Sequence, residues 1–119
     1  MAADHPLASQ VKLLAFDIFG TVVDWHGSIV REMRELHPNV DGDAFALAWR
    51  SGYKPAMQRV ASGELGWTLI DDLHRMILDE LLQRFGITHL TDEQKTELNS
   101  AWYDLDGWPD TVEGLTRLK

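Results

Sequence analysis

The chain has 119 residues, 45% of them hydrophobic and 25% charged, and a formal net charge of −8. This length fits one small domain with a modest core, and the composition is typical of a soluble globular protein. The negative charge disfavours nucleic acid as a partner, because phosphates would be repelled. The sequence contains no cysteine, which excludes disulfides, thiolate metal sites and a cysteine nucleophile.

The hydropathy of the sequence predicts a cytoplasmic protein without a membrane partner. No apolar run approaches the ~20 residues that a membrane-spanning helix requires. The opening stretch MAADHPLASQ lacks the apolar segment of a signal peptide.

One predicted strand precedes a series of predicted helices. The continuous apolar run over residues 11–16 predicts a short buried strand. Apolar residues at helical spacing then predict helices over residues 29–36, 45–53, 70–82, 91–105 and 109–118. Pro55 should interrupt the second helix, and Gly86 should end the third. Thr91 with Gln94 is a capping-box signature at the start of the fourth helix.

This set of elements is unbalanced, because a lone buried strand cannot satisfy its backbone groups without neighbouring strands. The sequence also stops at Leu118-Lys119, where an α/β protein would be about to enter its next strand. We therefore expect the sequence to be the front part of something longer.

The stretch LLAFDIFGTVVDW, residues 13–25, ends the predicted strand on a carboxylate, Asp17. Ligands of open α/β sheets bind beyond the carboxyl ends of the strands. The strand would hold Asp17 rigidly, and the turn at Gly20-Thr21 could aim N–H groups and a hydroxyl at it. The pattern alone leaves a second interpretation open, in which Asp17 only caps a turn.

The motif FDIFGT resembles the nucleophile motif of the haloacid dehalogenase superfamily, in which Asp opens a D-x-x-x-T/V signature. Asp17 and Thr21 match that Asp and Thr. The resemblance implies an α/β fold with a Rossmannoid core, of which only the first strand and a later helix are present, and an inserted α-helical bundle cap. It implies three segments: the start of the core with the nucleophile strand and turn (1–23), the helical cap (24–104) and an incomplete return to the core (105–119).

The residue two places after Asp17 narrows the resemblance. Phosphatases of the superfamily place a second Asp there, which protonates the departing alkoxide. This sequence has Phe19, which cannot transfer a proton, whereas a halide leaves without one. The L-2-haloacid dehalogenases, the type II branch, carry a non-acidic residue there and a Trp-Arg pair on an early cap helix. Trp49-Arg50, in FALAWRSGY, resembles that pair.

The resemblance implies a hydrolase that acts on short L-2-haloalkanoic acids through an aspartyl ester and gives 2-hydroxy acids and halide. Asp17 would be the nucleophile and Thr21 would orient it, while Arg50, Phe19 and Trp67 would bind substrate and halide. Without the resemblance, Arg50 fits a surface arginine beside an apolar stripe, and Trp67 fits core packing.

No metal and no cofactor is expected, because a 2-haloacid presents no multiply charged phosphoryl group to neutralise. Asp71, Asp72 and His74 have the chemistry of metal ligands, but adjacent helical residues splay about 100° apart. We expect them to form a solvated face. The resemblance also raises homodimerisation as an alternative to a monomer.

Family members continue into a Ser-Asn motif, a catalytic Lys and a further acidic motif, and this sequence shows none of them. We therefore expect the 119-residue chain to be inactive alone or to be part of a complete enzyme. Two alternatives stay open: a superfamily phosphatase, which Phe19 disfavours, and a truncated, non-catalytic helical module that binds partners. Magnesium dependence would favour the first, and concentration-dependent association would favour the second.

Overall fold

The computed structural model describes residues 6–119; residues 1–5, with the start of the predicted core segment 1–23, lie outside the described residues. The described elements are β1 (Val23–Asp24), α1 (Trp25–Leu36), α2 (Gly42–Ser51), α3 (Tyr53–Ala61), α4 (Ile70–Arg84), α5 (Asp92–Asn99), a 3₁₀ helix (Ser100–Tyr103), β2 (Asp106–Gly107) and α6 (Thr111–Leu118). In this part of the chain, no helix has the length and apolarity needed to cross a membrane.

Several helix ends lie where the sequence signals predict them. The Thr91 hydroxyl accepts a hydrogen bond from the Gln94 backbone N–H, and the Gln94 side chain accepts one from Thr91 N–H, which confirms the capping box. Gly86 follows α4 with φ +70°, a conformation that favours glycine. The interruption expected near Pro55 occurs at Gly52, so that Pro55 lies in the first turn of α3, where its missing N–H costs little.

The predicted buried strand over residues 11–16 is not formed. Residues 11–18 have no regular secondary structure and are exposed. The described sheet consists of β1 and β2 alone, which pair antiparallel with Val23 opposite Gly107. The apolar side chains of residues 11–18 stay exposed because an extended segment buries them only against neighbouring elements, and no described strand lies beside it. The described part is therefore mainly helical, and it does not itself build the predicted α/β core.

The apolar core lies among the helices of residues 25–103. Its buried members are Ile29, Met33, Phe45, Ala46, Trp49, Ala56, Leu73, Ile77, Leu78, Leu81, Leu82, Ile87, Leu98, Ala101 and Trp102. The Trp102 ring stacks on His74 with centroids 4.6 Å apart, and its centroid lies 5.4 Å from that of Trp49 in an edge arrangement. The Trp49 indole N–H donates to the His74 carbonyl at 3.0 Å. Trp49 and Trp102 therefore fill the packing positions predicted for them.

The expectation of a solvated face at Asp71, Asp72 and His74 is wrong for His74, which is 5% exposed. Burial lowers the pKa of His74 to about 4; Asp71 opposes this effect and Arg50 adds to it. The Tyr103 hydroxyl donates to the Asp71 carboxylate, so Asp71 already has a partner. Within residues 6–119, no group of three acidic or histidine side chains is arranged to hold a metal ion.

Gly52 tests the packing of the α2–α3 junction on α4. A Cβ at Gly52 would lie 2.5 Å from Cγ2 of Ile77, so Gly52→Ala should lower the free energy of unfolding by about 1–3 kcal/mol. The matched variant is Gly114→Ala in α6, where a Cβ meets nothing within 4 Å. Gly114→Ala should raise the free energy of unfolding by about 0.5–1 kcal/mol, because alanine is a better helix former than glycine. Denaturant unfolding measures both values, and effects of the same sign would contradict the packing.

The lowered pKa of His74 predicts that the free energy of unfolding depends on pH. In the folded state the pKa of His74 is about 4 instead of 6.5. The stability that neutral, buried His74 contributes is therefore fully present above pH 6.5 and is lost as the pH falls towards 4. The loss should be about 2 kcal/mol between pH 7 and pH 5. His74→Phe keeps a ring against Trp102 and should remove most of this pH-dependent loss of stability. A smaller slope of the same sign should remain, because burial and the neighbouring His89 lower the pKa of His37.

The measurement is the free energy of unfolding of both proteins at the two pH values. An identical pH dependence in the wild type and His74→Phe would contradict the assignment to His74.

Candidate functional site

A tight turn orients the Asp17 carboxylate. The Thr21 hydroxyl donates to Oδ2 of Asp17 at 2.7 Å, whereas Oδ1 makes no hydrogen bond within the described residues. The Ile18 carbonyl accepts the Thr21 backbone N–H at 3.2 Å, which closes the turn. Gly20 has φ +88° in this turn, a conformation that side chains with a Cβ rarely adopt. Asp17 is exposed, and its carboxylate therefore keeps one oxygen available for chemistry.

The C-terminal part of the chain is hydrogen-bonded to this same turn. The Trp108 indole N–H donates to the Gly20 carbonyl at 3.1 Å, and its backbone N–H donates to the Val22 carbonyl at 3.2 Å. The Thr111 hydroxyl also donates to the Val22 carbonyl, at 2.6 Å. These bonds fix the turn after Asp17 against the start of α6.

Arg50, in the last turn of α2, presents an unpaired guanidinium. Its Cζ lies 5.6 Å from the centroid of the Phe19 ring and 4.9 Å from that of Tyr53. The side chain is half-buried and makes no hydrogen bond or ion pair with any residue in 6–119. Three other arginines, in contrast, pair with carboxylates: Arg31, Arg59 and Arg75. The five N–H donors of Arg50 are therefore available to an anion.

Phe19 links the turn of Asp17 to the helical core. Its ring meets Trp102 edge-on with centroids 5.9 Å apart, and it packs against the core cluster. Because Phe19 is two residues from Asp17 and its ring lies under the Arg50 guanidinium, the structure brings Asp17, Thr21, Phe19 and Arg50 to one region.

Trp67 lies apart from these residues. It belongs to the loop between α3 and α4, and its side chain is 86% exposed. In the described part of the chain, no hydrogen bond or ring contact joins Trp67 to Asp17, Phe19 or Arg50.

Two residues beside the site were not predicted from the sequence. Tyr53 lies under Arg50, and His74 lies 6.2 Å from the Tyr53 ring, centroid to centroid. The i, i+3 spacing of Arg50 and Tyr53 was a usable signal, because such residues are neighbours on a helix surface. His74 lies beside the apolar stripe of α4, three positions before Ile77, so its spacing was a usable signal for burial; its ring stacks on Trp102.

The chain has curated relatives among the haloacid dehalogenases, although no protein-family model matches it. It is 30% identical over 119 residues to the (S)-2-haloacid dehalogenase of Pseudomonas putida, covering 92% of this chain and 47% of that protein. It is 27% identical over 120 residues to (S)-2-haloacid dehalogenase 4A of Burkholderia cepacia, covering 95% and 47%. The chain therefore spans about half the length of the curated relatives it matches.

Solved structures give the same result. The chain matches the crystal structure of the L-2-haloacid dehalogenase PA0810 with a TM-score of 0.78 and 37% identity, over 87% of this chain and 45% of that one. It matches the defluorinating L-2-haloacid dehalogenase Rha0230 with a TM-score of 0.76 and 42% identity, over 85% and 44%. The predicted resemblance to the L-2-haloacid dehalogenases is thus confirmed: the chain is homologous to them over most of its length and corresponds to about half of such a protein.

Proposed function

We propose that the protein expressed from the natural gene hydrolyses short L-2-haloalkanoic acids to 2-hydroxy acids and halide. The observation that carries this proposal is the unpaired guanidinium of Arg50, which lies over the ring of Phe19. Phe19 is two residues after Asp17, whose carboxylate accepts a hydrogen bond from Thr21. The relatives named above act on 2-haloacids, and an anion receptor beside a nucleophile suits such substrates.

The first step is displacement of halide by Asp17. The free Oδ1 attacks C2 of the substrate, an O–C2 bond forms, and the carbon–halogen bond breaks with inversion. The halide leaves with the electron pair and needs no proton. The Thr21 hydroxyl, which donates to the other carboxylate oxygen, holds the carboxylate plane during the attack.

The second step is hydrolysis of the aspartyl ester. Water attacks the ester carbonyl carbon of Asp17, and the bond between that carbon and Oδ1, which is now bonded to C2, breaks. The 2-hydroxy acid departs with one oxygen from Asp17, the carboxylate regains an oxygen from water, and one proton is released to solvent. The two steps together thus convert the 2-haloacid and water into a 2-hydroxy acid, halide and a proton.

Arg50 serves as the anion receptor in this scheme. A guanidinium offers a fork of N–H donors that matches a carboxylate, and its fixed positive charge also suits a departing halide. A carboxylate neighbour would occupy those donors. The two rings beside Arg50 supply electrostatic stabilisation through their faces instead.

Phe19 favours this function over phosphatase chemistry. Its ring cannot protonate an alkoxide leaving group, and it is already engaged with Arg50 and Trp102. Trp67 is proposed to line an apolar part of the substrate pocket. The Trp67 side chain is exposed in the structure and therefore free to contact a substrate.

A binding module remains the second candidate, because a wide apolar surface is exposed. Its exposed members are Leu7, Val11, Leu13, Leu14, Phe16, Leu115 and Leu118. An open cavity of about 680 Å³ lies between the residue 7–16 segment and the end of α6. Association of the 119-residue chain that rises with its concentration, without halide release by the complete protein, would favour this candidate.

Asp17→Asn should abolish halide release from L-2-chloropropanoate by the protein expressed from the natural gene, with a loss of more than about 1000-fold. An amide is a far poorer nucleophile than a carboxylate. The matched control is Asp72→Asn, an exposed change on α4, which should leave the rate unchanged. A halide-selective electrode gives the rate, and undiminished release by Asp17→Asn would rule out the proposed nucleophile.

Arg50→Lys should lower kcat/KM for the same substrate by about 100-fold, because lysine keeps the charge but loses the planar fork. The matched control is Arg34→Lys, the same substitution at an exposed arginine of α1. Steady-state kinetics over a range of L-2-chloropropanoate concentrations compares the two. A kcat/KM for Arg50→Lys equal to that of the control would contradict the receptor role.

A further inference from the structure

Tyr53 is the nearer of the two rings beside Arg50. It is the first residue of α3, and the Arg50 Cζ lies 4.9 Å from its ring centroid, compared with 5.6 Å for Phe19. Tyr53 is half-buried, and its hydroxyl makes no hydrogen bond within the described residues. The contact with Arg50 therefore depends on the aromatic ring and not on the hydroxyl.

The two rings around Arg50 lie against two buried side chains that stack on each other, His74 and Trp102. Tyr53 lies 6.2 Å from the His74 ring, which stacks on Trp102 at 4.6 Å. Phe19 meets the same Trp102 at 5.9 Å. The contacts thus form a closed circuit of five side chains: Arg50, Tyr53, His74, Trp102 and Phe19. The core sets the positions of the Tyr53 and Phe19 rings in this circuit.

The junction between α2 and α3 places Tyr53 in this circuit. Gly52 packs against Ile77 so closely that a Cβ would lie 2.5 Å from its Cγ2. This contact holds the first turn of α3 against α4, which carries His74. The Tyr53 ring is therefore held from two sides, by the backbone junction and by its ring neighbours.

We propose that Tyr53 is a positioning residue, whose ring holds the Arg50 guanidinium unpaired and oriented as the anion receptor. The assignment rests on the proposed role of Arg50. A half-buried cation needs electrostatic compensation, and a ring face supplies it without occupying an N–H donor. A carboxylate at residue 53 would instead consume the donors that the substrate requires.

The test is the Arg50 Nε–H NMR signal of the protein expressed from the natural gene, identified by its disappearance in Arg50→Lys. In the wild type, ring currents should shift this signal upfield and bromide should perturb it further. Tyr53→Phe should keep the shifted signal and the wild-type bromide affinity. Tyr53→Leu should return the signal towards the position of a free arginine and weaken bromide binding by about 10-fold.

Two controls keep the result interpretable. The indole N–H signals of Trp49 and Trp102 report whether Tyr53→Leu has disturbed the core. Tyr103→Phe, a change at an exposed tyrosine, should leave the Arg50 signal unchanged. If Tyr53→Leu fails to fold, the wild type still decides, because an Arg50–Tyr53 nuclear Overhauser effect is expected there and its absence overturns the proposal.

The failure of each proposal has its own signature. An unshifted Arg50 signal in the wild type, or equal signals in Tyr53→Leu and Tyr53→Phe, would overturn the positioning role. Bromide that binds the wild type and Arg50→Lys equally would overturn Arg50 as the receptor. In that case, the shift in Tyr53→Leu would still report whether Tyr53 positions the guanidinium.

Discussion

The contact between the Arg50 guanidinium and the Phe19 ring connects the helices to the segment that carries Asp17. Residues 11–18 have no regular structure of their own, so Asp17 depends on its neighbours for its position. Thr21 orients the carboxylate, and Phe19 fixes the turn to the core at Trp102. The Arg50 guanidinium, which has no ion pair within residues 6–119, lies over the ring of Phe19, two residues along the chain from Asp17.

Trp102 is the side chain through which the core reaches the site. Its ring contacts Phe19, Trp25, Trp49 and His74. Packing of this kind is specific, because aromatic pairs prefer stacked or edge-on arrangements. A neutral His74 also suits this location, since a protonated ring would add a second cation next to Arg50. The same burial that stabilises the helices therefore keeps a second positive charge away from Arg50.

The sequence signals that succeeded were local, whereas the failures involve distant partners. The capping box at Thr91 and the end of α4 at Gly86 depend on a few adjacent residues and were predicted correctly. The strand over residues 11–16 was predicted from its apolar run, but a strand forms only with neighbours that the described residues do not supply. His74 was assigned to solvent with Asp71 and Asp72, although it borders the apolar stripe of α4; the ring that covers it, Trp102, lies 28 positions away in the sequence. Of the residues predicted for the candidate site, Phe19 and Arg50 meet in the structure and Trp67 is exposed, while the roles assigned to them stay predictions.

Formation of a covalent ester by Asp17 can be tested with a single turnover in ¹⁸O-labelled water. The protein expressed from the natural gene is used in excess over L-2-chloropropanoate. The account predicts an unlabelled 2-hydroxy acid from the first turnover and ¹⁸O in the peptide that contains Asp17. A labelled product together with an unlabelled Asp17 would show direct attack by water and would contradict the account.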